Sequence, residues 1–398
     1  MAVSVSELPK LERADRGEDD HALLKRYRDA GPMAISPLGL PVALRYRHID
    51  ALMDGARTRQ VEMEPMAIQG VASGPIYELF SNTMLFANGE VHRRRRAPVQ
   101  RAFAFKLIEA MRGEVAALAE QMVAARLNAG PFDFLDMIAG ELPARVIARV
   151  IGLPDTEADN FRRLVYSGVR GVAIHDPAVR PEIERDLASL TAYVDGVLAE
   201  RRAAPRGDFV TGLMNEAGDL TEEEVRTQVL SLIVAGSDTT RLAICATLAC
   251  LLQRPDQWRA FCADPHGLKA SVASEGLRFE PSVASVPRIA LVDFELDGVA
   301  IPAGAFVSIS TMSAMRDEEA YRTPDAFDLR RDDHPRWHPI FGAGAHRCLG
   351  EALARIELEE TLAAIATAAP DAALAGAPPS FRGLAAVRTI DRMETVLA

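Results

Sequence analysis

The chain has few cysteines, few aromatic residues and no excess of positive charge, and each shortage excludes something. Four cysteines stand at irregular spacing among 398 residues, with no Cys-x-x-Cys pair. That excludes a disulfide framework and predicts a reducing, cytoplasmic setting. The stretch from Met1 to Asp20 is charged and holds no apolar run long enough for a signal peptide or membrane anchor. A net charge of -11 argues against general nucleic-acid binding. There is no internal repeat, no low-complexity linker, and no motif for a bound flavin or iron–sulfur cluster.

What is present favours helix. Apolar residues make up 48% of the chain and aromatics only 6%, with Ala, Leu, Val and Arg prominent. Residues 1–30 read as a mobile polar lead-in with a short helix, and residues 31–398 as one domain. Short strands are expected between Gly31 and Arg47, a brief helix over His48–Gly55, and a long loop over 60–85. Helical patterning follows over 99–113, 114–128, 133–152, 156–169, 181–202 and 221–252. After Pro281 the period changes to two, with Asp297-Gly298 as a hairpin turn, a strand over 305–311, and a tail able to close a small sheet. The fold class is mainly α with a minor β region.

The helix over 221–252 begins with Thr221 and Glu224 at capping-box spacing. Some thirty residues span roughly 45 Å. It is apolar on nearly every side, so it is expected to be buried. Into that run the sequence inserts Ala235-Gly-Ser-Asp-Thr-Thr240. A buried carboxylate is costly, and glycine weakens a helix by roughly 1 kcal/mol against alanine. Two penalties in one core helix point to a site. Gly236 permits a bulge and leaves room for a bulky ligand, while Asp238 and Thr239 form an acid–alcohol pair able to pass protons. The plainer reading is an irregular core helix with a solvated Asp238.

About 110 residues later comes Phe341-Gly-Ala-Gly-Ala-His-Arg-Cys-Leu-Gly350. A cysteine there sits between a glycine-rich turn and the start of a helix. A thiolate is a strong axial ligand for iron, and the absence of side chains at Gly342 and Gly344 lets backbone approach a flat cofactor. Zinc is the rival, since His334, His338, His346 and Cys348 lie within fifteen residues, although Pro335 and Pro339 oppose the helix that would align the first two.

Together these segments resemble the cytochrome P450 family over roughly residues 30–398. The cysteine loop fills every fixed position of that family's haem-binding motif, and Ala235–Thr240 fills its oxygen-activation motif. The resemblance implies haem b bound through Cys348, with Phe341, Gly342, Ala235 and Gly236 against it. His92, Arg96, Arg288 and His346 match the positions that meet the haem propionates. The rest of the Arg93–Arg96 run reads as a solvated basic face, or as a cysteine-side surface for an acidic, ferredoxin-type electron donor. Glu275 and Arg278 match a structural Glu-x-x-Arg pair. The basic residue that normally completes it is Ala326 here, leaving Arg322, Arg330 or Arg331 as substitutes.

By the same resemblance the substrate walls include the 70–86 segment, the 165–180 helix junction, Leu232, Ile233, Ala235, the lead-in Val283 to Val286 and the turn at Val387, most of them small or aliphatic. Arg388 stands ready to meet a substrate carboxylate or to face solvent. The implied activity is a monooxygenase with Asp238 and Thr239 as catalytic residues. It would insert one oxygen atom of O2 into an apolar small molecule, with electrons from NAD(P)H through a ferredoxin and its reductase. A peroxide-driven peroxygenase and a non-enzymatic haem-binding sensor are the alternatives.

Overall fold

The computed structural model describes residues 3–398, apart from residues 16, 104, 154–157, 173–174 and 336–337. A 31-residue helix, Glu222–Leu252, is buried along most of its length. It is long and apolar enough to cross a membrane, yet here it lies in the protein core. Its start is capped as expected: Glu224 N–H donates to Thr221 Oγ1 at 3.1 Å, and Thr221 N–H to Glu224 Oε2 at 3.0 Å. It packs against the helices Glu141–Val150, Ala158–Val172, Arg180–Ala203, Pro265–Phe279 and Glu351–Ala368. Gly236 serves this packing. A Cβ there would lie 2.8 Å from Ile147 Cδ1, so the glycine admits the neighbouring helix, and the central helix runs on without a break.

The β structure is small and lies in three sheets among the described residues. The largest has five strands in the order Met33–Ile35, Pro41–Ala43, Phe306–Ser310, Ser285–Ala290 and Thr58–Gln60. Arg288 pairs in register with both Val307 and Gln60. The Asp297-Gly298 hairpin forms with φ of 49° and 80°, as an Asp-Gly turn of this kind requires. The tail strand Glu394–Val396 pairs with Ala373–Leu374 and Phe132–Asp133.

Three expectations fail for physical reasons. The 60–85 stretch holds two helices, Glu64–Gln69 and Pro75–Asn82. Its glycines stop and start them: Gly70 caps the first in left-handed geometry, and Gly74 precedes Pro75 at the first turn of the second. The lead-in is not free either. Leu11 N–H donates to Ile35 O at 2.7 Å, Val3–Ser4 pairs with Val299–Ala300, and Arg28 is buried.

The third failure concerns the expected helix over 99–113, which is three helices, Gly89–Ala102, Phe105–Ala110 and Arg112–Ala124. The first begins ten residues early because arginines, rather than an apolar stripe, face inward. Arg95 is buried and donates to Glu224 Oε1 at 3.0 Å. Arg94 Nη1 reaches Glu224 Oε2 at 2.8 Å. Only Arg93 of that trio is solvated, paired with Glu90.

Burial alone would raise the Glu224 carboxyl, but Arg94, the Thr221 N–H and Arg95 together bring it down to about 2. Its folded pKa therefore lies below the unfolded value near 4.3. Its stabilisation is full above that value and is lost as pH falls through 2. Glu224→Gln should lower the midpoint of urea unfolding at pH 7, and the gap to the unaltered protein should narrow between pH 4.5 and 2.

Candidate active site

Cys348 lies at the end of a tight loop that its neighbours fix. Gly342 and Gly344 both take left-handed backbone, with φ of 68° and 62°. The Cys348 N–H then donates to Phe341 O at 2.8 Å and closes the loop. The helix Glu351–Ala368 leads away from it. Burial pushes the Cys348 thiol up, while the Gly350 N–H at the sulfur pulls the other way. The residue sits deep in the fold, yet its side chain is open to an internal slot.

The slot consists of two cavities of about 230 and 340 Å³, both bordered by Val283, Ile340, Phe341 and Cys348. The central helix lines the first with Leu232, Ala235, Gly236, Thr239, Thr240 and Ala243, one stripe at helical spacing. Thr239 Oγ1 donates to Ala235 O at 3.1 Å, and its oxygen keeps acceptor capacity toward the cavity. Val286, Val387 and Gly342 border the second cavity, together with Met84, Leu85 and Phe86 from the end of the 70–86 segment.

Ile233 is a correction. It is fully buried in the core and touches neither cavity, because it is one residue out of phase with Leu232. Asp238 also lies off the stripe, paired with Arg241 on its own helix.

His92, Arg96, Arg288 and His346 all come together at the second cavity. Arg288 is 4% exposed and is held by Thr58 Oγ1 at 3.0 Å and Gln60 Oε1 at 3.2 Å. Burial lowers its pKa to about 10. Among the described residues no carboxylate pairs with Arg288 or with Arg96, whose side chain reaches Arg347 O. The His92 and His346 rings stack at 4.0 Å. Burial brings them down to about 4 and 3, helped by Arg96 for His92 and by His92, Arg288 and Arg96 for His346. His92 Nε2 is buried without a partner. One buried and one half-buried guanidinium without an anion, with an orphaned imidazole nitrogen beside them, suit a flat ligand with two carboxylates.

The Glu275–Arg278 pair is fully buried, with Arg278 Nε and Nη2 donating to the carboxylate at 2.7 and 2.8 Å. Arg331 stands in for the missing basic residue at 326. Its Nε donates to Glu275 Oε2 at 3.0 Å and its Nη2 to Ala326 O at 3.0 Å. The Asp328 N–H supplies a further bond to Glu275 at 2.8 Å. His338 Nε2 lies 3.2 Å from Ser274 O, and His334 turns to Glu275, so neither joins Cys348 in a zinc site. Among the described residues, no three His, Cys, Asp or Glu side chains converge as metal ligands.

Arg388 neither faces solvent nor borders the slot: it is buried and paired with Glu280.

Two residues escaped sequence reasoning. Arg241 holds Asp238 and lies 4.3 Å over the Tyr166 ring, whose hydroxyl donates to Gly140 O at 2.7 Å. Its place directly after the Asp-Thr-Thr run was the available signal. Glu357 borders the same cavity as Thr239, is 1% exposed, and has no hydrogen-bond partner among the described residues. Burial raises its pKa well above the ordinary carboxylate value, which favours the protonated acid. Among the acids of its helix nothing in the sequence singles it out.

Comparison with known proteins agrees with this geometry. The family profile of cytochrome P450 matches residues 182–260 and 268–366. The plant-inducible cytochrome P450-pinF1 of Rhizobium radiobacter is 39% identical over 96% of this chain and 90% of its own length. The epothilone C/D epoxidase of Sorangium cellulosum is 30% identical over 94% and 92%. A myxobacterial cytochrome P450 solved with myristic acid superposes with a TM-score of 0.84 at 30% identity, covering 95% of this chain and 96% of that one. The chain belongs to the cytochrome P450 family. It has the family's fold and is a haem-dependent monooxygenase, an oxidoreductase.

Proposed function

We propose that Cys348 binds the haem iron as its thiolate and that the chain oxygenates apolar small molecules by hydroxylation or epoxidation. The observation that carries this reading is the meeting of Cys348 and Thr239 at one apolar cavity, brought there by two different elements. When bound, haem supplies the one-electron chemistry that activates O2. Arg96 and Arg288 would neutralise the propionates, and the His92 Nε2–H would donate to one of them. The thiol proton must leave Cys348 on ligation, a step that the Gly350 N–H and the positive field of Arg96 assist.

Asp238 takes protons from the solvent side of the central helix. Thr239 hands them into the cavity from Oγ1. Arg241 keeps the Asp238 carboxyl in place between transfers. Leu232, Ala235, Val283, Val286 and Val387 exclude water and hold substrate by apolar contact. A slot of this lining suits molecules like those in the names of its relatives, epothilone and myristic acid. Electrons come from NAD(P)H through a ferredoxin and its reductase, docking at the cysteine-side surface, where Arg112, Arg347 and Arg355 stand paired among Glu109, Glu351 and Glu359. Cytoplasmic residence fits these soluble partners.

Thr239→Ala provides the test, with myristic acid as trial substrate and a surrogate ferredoxin pair. NADPH consumption should continue while hydrogen peroxide replaces product. Asp238→Asn should slow turnover by about a hundredfold. Full product yield from Thr239→Ala would remove that residue from the relay, as expected of a peroxide-driven enzyme, whereas a sensor would show no turnover in either protein. Separately, Arg288→Met should speed haem transfer to apomyoglobin by about tenfold, since one propionate loses its buried partner.

A further inference from the structure

The residues after Phe381 form a hairpin that overhangs the slot. Arg382 and Thr389 exchange backbone hydrogen bonds of 2.9 Å in both directions. At its tip Ala386 takes left-handed backbone, with φ of 50°, which costs free energy in a residue bearing a Cβ. Contacts with the segment 282–285 hold that conformation. Ala284 N–H donates to Ala386 O at 2.7 Å, Arg388 N–H to Ser282 O at 2.9 Å, and Ala386 N–H to Ser285 Oγ at 3.3 Å. Ala386 and Val387 border the larger cavity, and Val283 across from them borders both. The separation of these two segments therefore sets the width of the slot at this end.

Beneath the tip, the Arg388 side chain forms a further link between the same segments. It is 3% exposed, pairs with Glu280 and donates to Phe381 O at 2.9 Å. Glu280 is clamped from its other side by the helix Asp20–Ala30: His21 Nε2 lies 3.1 Å from its carboxylate, and Asp20 lies 3.8 Å from Arg388. A buried pair of this kind contributes little net stability against apolar packing, but it specifies geometry.

We propose that Arg388 is a positioning residue for substrate. Through Glu280 it fixes the Ala386–Val387 tip over the slot, and Asp20 and His21 give the first helix a share in deciding which apolar molecules fit. This rests on the reading of the slot as the haem and substrate cavity.

The test uses the ferric holoprotein and two nitrogenous iron ligands, imidazole and the longer 4-phenylimidazole, followed by absorbance. In Arg388→Met, 4-phenylimidazole should bind about tenfold more weakly and imidazole within about twofold of the parent, with Arg388→Lys recovering part of the loss. In the apoprotein, amide exchange at residues 384–388 should accelerate while that at 342–350 stays unchanged. Equal weakening of both ligands, or of neither, overturns the proposal. No spectral response to imidazole in the parent would instead overturn the haem reading beneath it. Where Arg388→Met does not fold, His21→Ala removes the clamp from the far side, and the same contrast between ligands decides.

Discussion

Cys348→Ala abolishes the strongly red-shifted carbonyl band of the dithionite-reduced protein, and oxygenation falls to the background of the assay. The expectation follows from the loop. Gly342 and Gly344 shape it, the bond from Cys348 N–H to Phe341 O closes it, and neither depends on the sulfur. The variant should therefore fold with the circular dichroism of the parent, and the missing band then reports ligation alone. Cys348→His is the sharper version. It offers a nitrogen in the same place and should move the carbonyl band to the position typical of imidazole ligation. A red-shifted band that survives Cys348→Ala would mean that another residue binds the iron.

Glu275→Ala should be the most damaging substitution away from the slot. Glu275 is fully buried and neutralises Arg278 and Arg331 together, while its oxygens take the Asp328 N–H as well. Its removal leaves Arg278 buried without an anion and facing Arg331, which keeps only Asp333. Loss of one partner of a buried pair costs about 3–5 kcal/mol, a large part of the stability of an ordinary domain. Expression should yield insoluble or haem-free protein. Arg331→Leu should be milder, because Arg278 still balances the carboxylate and keeps its bonds to Met315 O, Pro324 O and Ala326 O. Thermal unfolding of Arg331→Leu, set beside the yield of Glu275→Ala, checks the order.

These contrasts also mark where the sequence could be read and where it could not. The cysteine loop and the Ala235–Thr240 segment were legible because the chemistry of each is local: Gly342 and Gly344 lie close before Cys348, and Gly236 lies close before Asp238 and Thr239. The phase of the central helix was not. A helix that is apolar all round offers no stripe to say which residues meet the slot, so Ile233 was grouped with Leu232 although it points into the core.

Charges were misread for a different reason. Arg94, Arg95 and Arg388 have partners or settings fixed by distant segments, and a guanidinium in isolation reads as solvent-facing. Ala326 left a gap in a bonded triad with Arg322, Arg330 and Arg331 as candidates to fill it; proximity in space selects Arg331. The helices within 60–85 were hidden because their glycines and proline, which cap and start them, also serve as loop signals.

The bonds from Arg94 and Arg95 to Glu224 bear on recombination. They join the helix carrying His92 and Arg96 to the first turn of the helix carrying Thr239. In a chimera built from two relatives, residues 89–102 and residues 221–224 therefore form a single unit of inheritance, although well over a hundred positions separate them. A crossover anywhere between them is safe only when both parents hold the arginines and the glutamate. Otherwise the hybrid inherits the two sides of its haem slot without the pin that holds them in register.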